Sequence, residues 1–142
     1  MRGVTAQPAR ATITRVRRTS VLLAHAATGW VLCFATIGIG MAVTTEGTAL
    51  VVHAIGAPIF FVGVSANYFI RFGYTAPLAT AATFTGFVMV VDFLLVALVI
   101  LRSLDMFGSW LGTRIPFLLI FVATWLTGEL VARRLPGRPR RT

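Results

Sequence analysis

"FVMVVDFLLVALVI", residues 87–100, is a nearly pure hydrocarbon run with one carboxyl group, Asp92, set into it. It lies in an apolar run from 77 to 101, and about 20 helical residues are enough to cross the ~30 Å core of a bilayer. In lipid such a run has to be a helix, because every backbone N–H and C=O must find its partner within the segment. Between Phe84 and Leu101 stand thirteen Leu, Ile, Val and Phe residues. Each favours insertion by roughly 0.3 to 0.6 kcal/mol, against a cost of roughly 3 kcal/mol for a central Asp. Insertion survives the acid, which must then face protein or water and not lipid.

Three further runs of spanning length, about 21–43, 49–70 and 115–132, accompany it. The reading is an all-α integral membrane protein, an antiparallel four-helix transmembrane bundle over residues 21–133, with arginine-rich tails at 1–20 and 134–142. With 142 residues, 57% of them hydrophobic, the chain holds one membrane unit and no soluble domain. The first run extends too far to be the core of a cleaved signal peptide, so it reads as an uncleaved helix. "TTEGT" (44–48), with Gly47, and "RFGYTAP" (71–77), with Gly73, a Thr75 cap and Pro77, read as tight turns between antiparallel neighbours. "RSLDMFGSWLGTR" (102–114) mixes aromatic and polar residues and reads as a loop or short helix along the interface.

The net charge of +9 resembles a nucleic-acid signal until its distribution is considered. All 13 basic residues are arginine, and ten of them fall in the two tails and at Arg133, which adjoins the second; only Arg71, Arg102 and Arg114 lie elsewhere. No aromatic residue is interleaved with the tail arginines, so the partner they imply is anionic lipid headgroup and no nucleic acid. An N-in/C-in orientation puts both tails and Arg71 on the cytoplasmic side and leaves only Arg102 and Arg114 outside, as the positive-inside rule requires. The single Cys33 permits neither an internal disulfide nor a CxxC metal site.

The polar groups at membrane depth are the candidate functional residues. Asp92 lies about 13 Å below the outer boundary and His53 about 6 Å below it on the preceding helix, within one side-chain reach. At 100° per residue His53, Gly56, Phe60, Gly63, Asn67 and Arg71 fall within about 80° of one another, a stripe read as pointing inward. On the third helix Thr85 shares the face of Asp92 and is a candidate partner for its carboxyl group. The functional reading is a polar pathway His53–Asp92–Thr85–Asn67–Arg71 for protons or a polar ligand. The structural reading is a hydrogen-bonded acid joining helices. His25 and Glu129, equally deep near the cytoplasmic ends of helices 1 and 4, form a second candidate pair, with Arg133 one turn from Glu129.

Two histidines in a four-helix bundle raise the question of haem. Here they stand near opposite faces, roughly 15–20 Å apart in depth, so they cannot share one iron under this topology. No cofactor or metal is expected, and no GxSxG, HExxH, P-loop or GxGxxG pattern is present. "ATIGIGMA", Gly56 with Gly63, and Ala79, Ala82 and Gly86 place small residues where backbones can approach, in bundle packing or in a homo-oligomer.

"VVHAIGAPIFF", "RFGYTAPLATA", "VVDFLLVALVI" and "LGTRIPFLLIFVATWLTG" resemble segments of a group of small bacterial four-span proteins with no assigned function. The resemblance covers about residues 25–130. It implies a multi-pass protein of the bacterial inner membrane and carries no activity. The expected role is a non-enzymatic accessory or assembly subunit contacting another membrane protein. The alternative is a proton-coupled transporter or channel built on Asp92 and His53, and a lipid-modifying or redox enzyme is the least supported.

Overall fold

The computed structural model describes residues 6–108 and 110–135 and, as to side chains, residues 11–135 other than Met106 and Ser109. Arg2, Arg10, Arg138, Arg140 and Arg141, assigned above to lipid contact, lie outside the described side chains. The fold is all-α: α1 (Ala6–Val43), α2 (Glu46–Arg71), α3 (Pro77–Val91), α4 (Asp105–Gly108) and α5 (Ile115–Arg134). α3 runs on into a π-helical segment, Asp92–Leu101, and a π-helical turn, Trp110–Arg114, leads into α5. Four of the resulting helices, Ala11–Val43, Glu46–Arg71, Pro77–Leu101 and Trp110–Arg134, are long and apolar enough to cross a membrane.

The helix ends follow local chemistry. Thr45 caps α2 by accepting from the Thr48 N–H at 3.4 Å. Gly47, read above as a turn residue, lies inside the first turn of that helix. At the other end of α2 Gly73 takes φ 55°, and its N–H bonds the Tyr68 carbonyl at 3.0 Å. That left-handed conformation suits glycine, as the sequence anticipated. Pro77 opens α3 at a position where no N–H is needed. The cap there is Ala76, not Thr75, whose hydroxyl instead joins Tyr68 Oη at 2.9 Å and Thr80 Oγ1 at 2.7 Å.

The third joint contains α4, started by Ser103, whose Oγ accepts from the Asp105 N–H at 3.0 Å. Arg114 lies over the ring of the exposed Trp110, 4.5 Å from its centroid. α5 therefore has a helical lead-in from Trp110, five residues before the start expected from hydropathy. At the N-terminal end α1 carries helix through Arg15, Arg17 and Arg18, since arginine is a good helix former and nothing there breaks the pattern.

Round the bundle the order is α1, α2, α5, α3: α1 packs on α2, α2 on α5, α5 on α3 and α3 on α1. The short joint at 72–76 predicts α2 and α3 side by side, yet they face each other across the diagonal. What they share is the axis. Phe61 and Tyr68 of α2 meet Phe84 of α3 edge-on, each at 6.0 Å between ring centroids, and all three are fully buried. Edge-to-face contacts at this spacing are the favoured aromatic geometry.

Close approach is concentrated at Gly29, Gly40 and Gly128. A Cβ on Gly29 would lie 2.6 Å from Phe61, and one on Gly40 2.9 Å from Ala49. Only Gly40 belongs to the small-residue sets read from the sequence. Gly63 and Gly86 have open space around the missing Cβ, and Ala79 and Ala82 are exposed.

Candidate functional site

Asp92 sits where α3 gives way to the π-helical segment. Its Oδ1 accepts from the indole N–H of Trp30 on α1 at 2.7 Å. The expected partners, His53 and Thr85, are not the ones the carboxyl group takes. Thr85 Oγ1 is enclosed with no partner, bonding neither the acid nor its own backbone. By contrast Thr28, Thr36, Thr80, Thr83 and Thr127 all donate to the carbonyl four residues back. His53 lies against the backbone of Cys33, within hydrogen-bonding reach of it, while its Nδ1 is enclosed without a partner.

The inward stripe on α2 is displaced from the one read above. Its buried face is Ala54, Ala57, Phe61, Ser65 and Tyr68, whereas Gly63, Asn67 and Arg71 are exposed. Polarity was the marker for the inside, but in a bundle coated with apolar residues the axis is filled by whichever side chains pack best. Here those are aromatic rings. Asn67 is engaged at the arginine-rich end, its Nδ2 lying 3.1 Å from Nε2 of His25. His25 Nδ1 lies 2.8 Å from the Val21 carbonyl. An Nδ1–H tautomer satisfies both contacts, donating to Val21 and accepting from Asn67. Tyr68 and Phe72 enclose the ring edge-on. Asn67 thus takes the place assigned to Glu129 in the cytoplasmic-side pair. A further bridge missed from sequence joins α2 to α5, the buried Ser65 hydroxyl donating to Thr124 Oγ1 at 3.2 Å.

The polar groups therefore form separate clusters and not one chain of contacts. Toward the arginine-rich end are His25 with Asn67, and Tyr68 with Thr75 and Thr80. Toward the other end are Trp30 with Asp92, and His53. Phe61, Tyr68 and Phe84 fill the axis between them.

Trp30, Asp92 and His53 line a cavity of about 460 Å³ whose walls come from all four long helices. Its lining runs from Met41 and Glu46, beside the joint between α1 and α2, to Val88 and Ile120 farther into the bundle. The π-helical geometry shapes its third wall. In an α-helix Leu101, nine residues after Asp92, would point to the opposite side. At roughly 80° per residue, the angle implied by i→i+5 bonding, it returns to the face of Asp92. Asp92, Val96, Ile100 and Leu101 accordingly line one cavity. The segment closes with Arg102 at φ 52° and the Ala97 carbonyl accepting from its N–H and, at 3.1 Å, from that of Ser103.

Among the described residues no group of three or more His, Cys, Asp and Glu side chains is placed to hold a metal ion. No known protein family, curated protein or solved structure matches the chain.

Proposed function

We propose that the chain is a multi-pass protein of a bacterial inner membrane, N-in/C-in, with its arginine-rich ends at anionic headgroups. It acts by binding and not by catalysis or conduction, as an accessory subunit whose outward-facing cavity holds a small molecule for a larger membrane assembly. The observation that carries this reading is the aromatic plug: Phe61, Tyr68 and Phe84 close the axis below a cavity that contains Asp92. Interhelical bonds between paired polar groups are the usual use of such residues in bundles.

Orientation is tested by thiol labelling in intact cells. In a Cys33→Ala background, Thr45→Cys is expected to react with a membrane-impermeant reagent, while Gly3→Cys and Thr142→Cys stay protected. Labelling of the two ends reverses the orientation.

The role is tested by purification in mild detergent together with flux measurements. A stoichiometric larger membrane protein is expected to accompany the chain, and proteoliposomes of the chain alone are expected to hold a pH gradient. The second reading, a proton-coupled transporter, draws on His53 and Asp92 lining one cavity. It requires a lone homo-oligomer whose proton flux disappears in a stably folded Asp92→Asn variant, because an amide cannot titrate.

A further inference from the structure

We infer that the cavity is a site for an amphiphilic amine, a molecule with a protonated N–H-bearing nitrogen and an apolar body. The inference rests on the proposal that the cavity binds, and adds what it binds.

Its size comes first. About 460 Å³ falls in the range of small-molecule sites, roughly 300–1,000 Å³, which are mostly apolar with a few placed polar groups. The lining fits that description, with Trp30, Phe34, Phe117 and aliphatic side chains around Asp92, His53 and Glu46.

The inventory of donors and acceptors then narrows the ligand. The one strong side-chain donor at depth, the Trp30 N–H, is already engaged by Asp92 Oδ1. The other oxygen of that carboxyl group, Oδ2, has no partner and is not enclosed. Glu46, in the first turn of α2, adds acceptors, and no lysine or arginine lines the cavity. His53 contributes no available donor either: its hydrogen bond is to the Cys33 backbone, so in the neutral ring the enclosed, unpartnered Nδ1 is an acceptor. Apart from the weak Cys33 thiol, the cavity offers acceptors only. A ligand head that supplies donors and positive charge matches Asp92, because charge-assisted bonds are the stronger ones. A carboxylate head would meet two acids and no counter-charge. The aromatic walls suit a cation as well, through the negative faces of their rings.

Depth selects the source of the amine. Asp92 stands well below the end of its helix, with Val96, Ile100 and Leu101 lining the cavity between it and that end. A free amphiphile can carry its nitrogen to that depth, whereas the amine of a phospholipid is held at the headgroup level.

The test uses full-length protein in phosphatidylcholine nanodiscs, with empty discs subtracted. Trp110→Phe and Trp125→Phe leave Trp30 as the only tryptophan, and neither residue lines the cavity. Octylamine is expected to change Trp30 emission saturably and to bind at least about tenfold more tightly than 1-octanol. Octyltrimethylammonium, which has charge but no N–H, should fall between them, and octanoate should not bind. Asp92→Asn, which keeps an acceptor for Trp30, should bring octylamine to within about threefold of octanol. Equal binding of amine and alcohol by the wild-type chain, or amine binding unchanged in Asp92→Asn, would overturn the assignment of a cation while leaving the cavity a binding site. Saturable binding of none of the four would overturn the binding reading itself.

Discussion

Trp30→Phe is expected to destabilise the bundle by about 1–2 kcal/mol, even though the phenyl ring keeps most of the apolar contact and the stack on Phe34, 5.1 Å away. The loss is that of the indole N–H, which leaves Asp92 Oδ1 without its donor. Asp92→Leu should cost a similar amount by stranding the donor instead. Asp92→Asn should stay near wild type, because an amide oxygen accepts the same bond. The double variant Trp30→Phe/Asp92→Leu should be more stable than the sum of the two losses allows, since removing both partners leaves nothing unsatisfied. Reversible unfolding in mixed micelles measures all four. Strictly additive losses would mean that the two side chains do not interact.

Gly128→Ala carries the other large effect. A Cβ there would lie 2.7 Å from two atoms of the Phe69 ring and from Cβ of Pro77. Those contacts belong to α2 and to the start of α3, so three helices converge on one missing methyl group. The ring of Phe69 is buried and packed edge-on against Tyr68 at 5.3 Å, and a proline at a helix start has little freedom to move. Overpacking of this kind costs about 1–3 kcal/mol, more than the roughly 1 kcal/mol that alanine recovers over glycine in a helix. Gly63→Ala and Gly86→Ala, with open space at each site, should be neutral or stabilising in the same unfolding assay. A Gly128→Ala protein at least as stable as wild type would show that the helices can separate there without loss.

The sequence made the helices legible because spanning length and the demand for internal backbone bonding leave no other structure for such runs. Gly73 was legible as a turn for the same local reason, its left-handed backbone. That Asp92 faces protein followed from the cost of exposing an acid to lipid, but its partner did not. Trp30 reads as one more aromatic in an apolar run. The usable signal was the indole N–H, which needs an acceptor when buried, and Asp92 is among the few side chains near that depth that accept. The inward face of α2 was misplaced because lipid and protein interior are alike apolar, so hydropathy cannot distinguish Phe61 turned to the axis from Ile59 turned outward. The π-helical stretch left no trace either, since "DFLLVALVIL" suits both windings.

The cyclic order of the helices has a further consequence, for access. A connection between neighbours runs along an edge of the bundle, whereas one between diagonal helices must pass over its middle. Residues 72–75 make such a crossing at the arginine-rich end, and all four are half-buried. Phe72 rests on Tyr68 and His25, and Arg18 lies over the Tyr74 ring. The chain stoppers one end of its own vessel. At the opposite end Thr44 with Thr45, and the joint after Leu101, link adjacent helices and run along the rim. The connectivity thus covers the middle of the bundle at the arginine-rich end and leaves it uncrossed at the other.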